Sequence, residues 1–344
     1  PQEGLTIVAG FPKGVVRSHD ANLWTTVNSL LGQRRDVDDV EVFVLPLFGI
    51  AFLFQVMPMV LAGGTVVLDG SFDAERTWDL IEEHRATRIF LAPTMLGSML
   101  AVDGNERRDV SSLGVINTAY EFPDRIRLAA DARFGPIVAY MYGLTEAQLC
   151  VSTPAEFAED STDAGHAMGL MQVRIFDDDR RPVEQGVRGE IALSGPSLMS
   201  RYHDRAEATA ESLVGGWLLT GDLGYLDPHG RVHIVGRKKE IIKSGGFSVD
   251  PVEVENVLLD LADVREAAVI GVPDEHWGER AVAFLVVSNP LSQEDVRTYV
   301  KTRMASYKTP KQVFFVSVLP RTPTGKVQRG KLRAQAQESV PAET

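Results

Sequence analysis

The sequence is nearly empty of cysteine and has no surplus of positive charge. Its single cysteine, Cys150, rules out an internal disulfide and suits a reducing compartment. A small buried hydrophobe is the ordinary reading of such a residue. Asp and Glu number 47 against 35 Lys and Arg, for a net charge of −12. Non-specific nucleic-acid binding needs clustered positive charge, so no nucleic-acid partner is expected. Internal repeats and low-complexity segments are lacking too. One long uncharged stretch, Val42 to Leu68, tests for a membrane span. Pro46, Gly49, Gln55, Pro58, Gly63 and Gly64 would interrupt a spanning helix repeatedly. Strand, helix and strand fit it better, and no integral membrane span is expected. No basic-then-apolar leader is read at the first residues, and a cytoplasmic location is expected.

What is present is an ordinary globular composition, 44% hydrophobic and 24% charged, over 344 residues, enough for two domains. Apolar, β-branched runs recur in "EVFVLPLF", "TVVLDG", "TRIFLAP", "LGVINTA" and "IVAYMYG". Amphipathic helical stretches such as "AERTWDLIEEHRA" and "DRIRLAADARF" lie between them. That alternation predicts parallel strands with crossover helices on the faces. From about Val173, short strands separated by Gly and Asp turns predict antiparallel hairpins. A charged run, Arg237 to Glu240, then precedes a small unit of helix, two strands, helix and strand. The fold class is therefore α/β: a large N-terminal domain of mostly parallel sheets flanked by helices, with short antiparallel hairpins, and a small α+β C-terminal domain.

Chemistry concentrates in "GFPKGVVRSH", "YMYGLTEAQ", "TGDLGYLD", "GRKKEIIKSGGFSVDPVEVE" and "PRTPTGKVQRGKLR". A Gly-containing loop after a strand lets backbone N–H groups approach phosphate, and a Lys adds a point charge. An aromatic face suits a base, a hydroxyl suits phosphate, and a carboxylate suits a hard cation. An ionised Asp is an acceptor only, suited to hydroxyl or N–H donors. Each stretch alone has a plainer reading: Lys13 as a solvated surface residue, Thr145 and Glu146 as a turn opening a helix, Asp222 as part of a β-turn.

Taken together and in this order, over residues 1 to about 335, these stretches resemble the acyl-CoA synthetase branch of the adenylate-forming superfamily. The resemblance implies a large AMP-binding domain over 1–238 and a small mobile domain over 239–338, with a hinge at Lys239. It implies ATP or AMP, Mg²⁺ and coenzyme A as cofactors. Lys13 would belong to the phosphate loop; Ala119, Tyr120 and Glu121 to a loop beside adenine; Tyr142 and Gly143 to the adenine wall. Thr145 would bond the adenylate phosphate and Glu146 would hold Mg²⁺. Asp222 and Arg237 would bind the ribose, and Ser244, Gly245 and Gly246 would line the pantetheine tunnel. Lys326 would bridge the substrate carboxylate and the α-phosphate; Lys326, Thr145 and Glu146 form the expected catalytic set. His19, on the helix after the phosphate loop, is expected to be structural.

The sequence also departs from that pattern. Leu5 to Ala9 matches the strand before the phosphate loop and Gly10 to Gly14 matches its end, with the Thr/Ser/Gly residues between them absent. A segment completing the large domain is expected ahead of residue 1, and a strand at Leu5 to Ala9 is expected to need neighbours on both sides. "TAYEF", Thr118 to Phe122, is bulkier than the usual adenine loop. Gly49 stands where a His is common near the acyl carboxylate, which opens space there. With the apolar "FGIAFLFQVMPMVL" and "APTML", it points to a hydrophobic acid rather than acetate.

The leading function is an acid–thiol ligase acting on a small-molecule carboxylic acid and CoA. Two alternatives stay open. One performs only thioester formation from a supplied acyl-adenylate; the other is a catalytically silent module that binds nucleotide or a partner. A homodimer is left open as well.

Overall fold

The computed structural model describes residues 3–8, 13–119, 122, 124–321 and 327–338. It divides into two compact units, Pro1–Thr220 with Gly224–Ile234, and Gly221–Leu223 with Val235–Thr344.

The first unit opens with β1 (Glu3–Val8) and β2 (Lys13–Ser18), antiparallel and registered so that Val8 faces Lys13. Among the described residues β1 has one strand neighbour, β2. The junction of Ala9 and Gly10, where the Thr/Ser/Gly loop residues would stand, lies outside the described residues. Ser18 Oγ accepts the Ala21 N–H at 3.0 Å and caps α1 (His19–Gly32), so this helix follows a strand rather than a phosphate loop directly.

Then come β3 (Val40–Phe43), a π-helical turn at Phe52–Val56, α2 (Met57–Ala62), β4 (Thr65–Leu68), α3 (Ala74–Glu83), β5 (Arg88–Phe90) and α4 (Pro93–Leu100). β6 (Val115–Thr118), α5 (Asp124–Phe134), β7 (Val138–Gly143), β8 (Gln148–Val151), α6 (Pro154–Glu159) and β9 (His166–Ala167) follow. The sheet order is β4-β3-β5-β6-β7-β8-β9. Pairing is parallel from β4 to β7 and antiparallel for β8 and β9. The apolar runs thus form β3 to β7; β3, β5, β6 and β7 are central and largely buried, while β4 closes the edge. Trp78, Ile81, Leu91, Leu96, Met99 and Ile116 are among the fully buried side chains around them. The stretch Val42–Leu68 is strand, helix and strand, and among the described residues no helix is long and apolar enough to cross a membrane. Cys150 is fully buried, and burial pushes its thiol pKa up, as a packed hydrophobe requires.

β10 (Gln172–Phe176), β11 (Gly189–Ser194), β12 (Arg201–Tyr202), α7 (Ala206–Ser212), β13 (Leu213–Val214), β14 (Trp217–Leu226) and β15 (Val232–Arg237) complete the hairpin region. They form a sheet of order β10-β11-β14-β13 with β15 on β14. β12 leaves that group and pairs instead with β2, Tyr202 opposite Val15.

The second unit carries β16 (Ile242–Ser244), β17 (Phe247–Val249), α8 (Pro251–Leu259), β18 (Val264–Asp274), β19 (Gly278–Val287), α9 (Gln293–Lys301), β20 (Gln312–Phe315) and α10 (Arg329–Glu338). Its sheet, β17-β16-β19-β18 with β20 parallel to β19, is covered on both faces. Val254, Leu258, Val296 and Val300 from α8 and α9 pack on one side, and Leu332 and Ala336 from α10 join Ile270 and Phe284 in a second cluster. This is the small α+β unit the hydrophobic pattern predicts.

Candidate active site

A strand alternates its side chains, so Lys13, Val15 and Arg17 share one face of β2. The β12 register sets Tyr202 on that face, directly across from Val15. The consequence is a compact group of charges. The Lys13 ammonium sits over the Tyr202 ring, 4.5 Å from its centroid. The Tyr202 hydroxyl donates to Glu146 Oε1 at 2.7 Å, and Arg17 Nη1 donates to the carbonyl oxygens of Thr145 and Glu146, each at 3.1 Å.

Thr145 and Glu146 lie in the turn between β7 and β8, closed by Leu144 N–H donating to Ala147 O at 2.7 Å. The alternative of a helix opening there does not hold, because β8 returns antiparallel to β7. Gly143 is crowded: a Cβ would meet Gln148 Cα at 3.1 Å. The Met199 N–H also donates to Glu146 O, at 2.8 Å, so this carbonyl oxygen accepts from two directions. Tyr142, on β7, is buried and paired across to Cys150.

Burial sets the electrostatics. It lowers the Arg17 pKa to about 10, with the Glu146 charge opposing, so the guanidinium stays charged at neutral pH. Burial and then the Glu146 charge push the Tyr202 phenol up, which keeps it a donor. Glu146 itself is 8% exposed. Among the described residues no group of three or more His, Cys, Asp and Glu is arranged to hold a metal ion. A single carboxylate such as Glu146 is still compatible with Mg²⁺, an ion that keeps several waters and can take much of its shell from substrate phosphates.

Ala119 follows β6 and packs with Phe54 of the π-helical turn against a buried cluster of Phe90, Met141 and Met168. The Phe54 and Phe90 rings meet edge-on, centroids 5.7 Å apart. Gly49 lies in a tight turn, its N–H donating to Pro46 O at 3.0 Å. Tyr120, Glu121 and Lys326 lie outside the described residues.

The second unit holds its own candidates. Arg237 Nε meets the buried Asp222 at 2.8 Å, and the Lys238 N–H donates to Gly221 O at 2.8 Å. Gly245 and Gly246 form the two-residue turn between β16 and β17, with φ of 58° and 82°. Two left-handed residues in succession are what a type I′ hairpin demands. The Gly245 N–H donates to Trp277 O at 2.8 Å, and a Cβ on Gly245 would lie 2.6 Å from the Trp277 ring. Ser244, just before the turn, is buried.

Arg17 and Tyr202 escaped the sequence reading. Arg17 could have been found, since "KGVVRS" read as a strand puts it on the face of Lys13. Tyr202 carries no such signal, because its place depends on a long-range pairing.

Residues 9–203 match the family described as AMP-binding enzyme, and 253–326 match the AMP-binding enzyme C-terminal domain. The indoleacetate–CoA ligase of Aromatoleum aromaticum is 39% identical over 344 residues, spanning 97% of this chain and 67% of that protein. The solved amide bond synthetase McbA from Marinactinospora thermotolerans superposes with a TM-score of 0.89 at 32% identity, over 96% of this chain and 68% of that one. The o-succinylbenzoate CoA synthetase MenE from Bacillus subtilis, solved with its acyl-adenylate intermediate, gives 0.87 at 33% identity, again over 96% and 68%. The chain therefore spans about two thirds of the length of each of these proteins.

Proposed function

As the chain belongs to the AMP-binding enzyme family, we propose that it joins a hydrophobic carboxylic acid to coenzyme A through an acyl-adenylate. The observation that carries this reading is the group of Lys13, Arg17, Glu146 and Tyr202 around the turn between β7 and β8.

In the first half-reaction a carboxylate oxygen of the acid attacks the α-phosphorus of ATP and pyrophosphate leaves. In the second, the CoA thiolate attacks the acyl carbon and AMP leaves. Lys13 supplies positive charge to the phosphates, and the Thr145 hydroxyl donates to the phosphate that stays with the acyl group. Glu146 holds Mg²⁺, which when bound offsets the charge of the polyphosphate. Tyr142 and Gly143, with the loop at Ala119, Tyr120 and Glu121, flank adenine. Asp222 and Arg237 hold the ribose, and Lys326 bridges the acid and the α-phosphate. Ser244, Gly245 and Gly246 line the path of the pantetheine arm, where glycine lets backbone approach a thin ligand. The large domain, 1–238, and the small one, 239–338, change their relation about Lys239 between the two steps, as a hinge of few residues allows.

The acid is hydrophobic because Gly49 leaves space and the Phe54 and Phe90 cluster is apolar. The 39% identical relative is a ligase for indoleacetate, a bulky aryl acid, in keeping with that choice. The test is ATP–pyrophosphate exchange followed by mass detection of the CoA thioester, over a panel from acetate to octanoate and aryl acids. Exchange and thioester with aryl or medium-chain acids are expected. A higher kcat/KM for acetate removes the substrate reading, and absence of both products across the panel removes the ligase.

A further inference from the structure

Arg17 is 2% exposed, and among the described residues its guanidinium donates to neutral oxygens. Its Nε donates to Asn22 Oδ1 at 2.8 Å, and Nη2 donates to Ala21 O at 3.3 Å and Thr25 Oγ1 at 2.5 Å. These three acceptors belong to the first turns of α1, so one edge of the guanidinium is fixed to the helix. The opposite nitrogen, Nη1, reaches the two successive carbonyl oxygens of Thr145 and Glu146. A buried cation is expensive to desolvate, and here the cost is offset by acceptors on both edges of the guanidinium. Packing alone therefore does not account for an arginine at this place. Planarity does: a fork of fixed geometry joins the helix to two peptide groups at once, which a lysine cannot reproduce.

Those peptide groups flank the Glu146 Cα. Fixing both planes fixes the direction of the Glu146 Cα–Cβ bond, and the Tyr202 hydroxyl then holds the carboxylate at the far end. We propose that Arg17 is a positioning residue for adenylation, setting the Thr145–Glu146 turn so that its hydroxyl and carboxylate meet the phosphates and their cation. It also places a positive charge behind a turn that receives a polyanion. The inference rests on the reading of Thr145 and Glu146 given above. In this role Arg17 touches neither nucleotide nor metal; it acts through the turn.

The test uses the full-length protein with Arg17→Lys, Arg17→Met and Thr25→Val. Melting temperature is recorded, along with ATP–pyrophosphate exchange as a function of Mg²⁺ at saturating ATP. Arg17→Met should lower the exchange kcat at least 30-fold and raise the half-saturating Mg²⁺ concentration at least fivefold. Arg17→Lys should restore the melting temperature without restoring the Mg²⁺ dependence. Thr25→Val, which loosens one anchor and leaves the arginine in place, should shift both quantities two- to fivefold in the same direction. A purely structural role predicts a fall in melting temperature with an unchanged Mg²⁺ midpoint in every variant that folds, and that result overturns the proposal. If Arg17→Met does not fold, an unchanged midpoint and kcat in Thr25→Val overturn it. If the unaltered protein exchanges no pyrophosphate with any acid, the ligase reading itself fails and this assignment falls with it.

Discussion

The Tyr202 phenol donates to Glu146 Oε1 at 2.7 Å from a strand that pairs with neither β7 nor β8. The carboxylate is therefore held by an element remote in sequence, and its orientation depends on the pairing of β12 with β2. Tyr202→Phe removes the donor and leaves the ring that carries Lys13. A hydrogen bond to a charged group is worth about 1.5–3 kcal/mol, so exchange kcat/KM should fall by roughly 10- to 150-fold. A change below twofold would show that the hydroxyl does not orient Glu146 during the reaction.

Asp222 and Arg237 give a binding prediction. Asp222→Ala removes a carboxylate whose acceptors are assigned to ribose, and AMP affinity measured by calorimetry should fall by about 1.5–3 kcal/mol. The Arg237 side chain is 47% exposed and open to solvent, so little of the loss should come from breaking its pair with Asp222. Affinity within twofold of the unaltered protein would refute the ribose assignment.

Lys326 separates the half-reactions. Lys326→Ala should abolish pyrophosphate exchange yet spare thioester formation from a supplied acyl-adenylate and CoA. Stopped-flow rates for the two steps decide it: equal loss in both contradicts the division of labour, and thioester formation without exchange in the unaltered protein favours an enzyme of the second step alone.

Asp227 makes stability depend on pH. Burial raises its pKa, but hydrogen bonds from the Arg231 backbone and side chain and from the His229 N–H prevail and hold it at about 2, against 3.8 unperturbed. A folded-state pKa below the unfolded one adds stability above the unfolded value, and that stability is lost as pH falls through the folded value. Asp227→Asn should therefore cost about 1–2 kcal/mol at pH 7. The gap between the two proteins should close between about pH 4 and pH 2 in urea titrations. A gap independent of pH would assign the loss to packing instead.

Much of this architecture could be read from residue patterns. Apolar, β-branched runs mark β3 to β7, and Gly and Asp punctuation marks the hairpins, because hydrophobic pattern and turn chemistry are local to the sequence. The π-helical turn at Phe52–Val56 was read only as part of a helix, since one extra residue in a turn leaves no periodic trace. Individual motif residues were legible as residue types with a known chemistry. What holds them was not. Arg17 looks like a surface arginine until β2 is recognised as a strand and its side chain is followed into the interior, and Tyr202 is separated from Glu146 by 56 positions. Such relations arise from tertiary pairing, which no window of neighbouring residues contains.

The period of two along β2 has a consequence for how this protein can change. Lys13 and Arg17 keep a common face only while the count of residues between them stays fixed. A one-residue insertion or deletion at Gly14, Val15 or Val16 would send one of the two to the opposite side of the strand, whereas substitutions there would leave the count intact. Segments exchanged between relatives should therefore be cut outside Lys13–Ser18. The same holds for Arg201–Tyr202, where a slip of one residue would turn the phenol away from Glu146. Point substitution is the tolerated currency of variation in these two strands, and changes of length belong elsewhere.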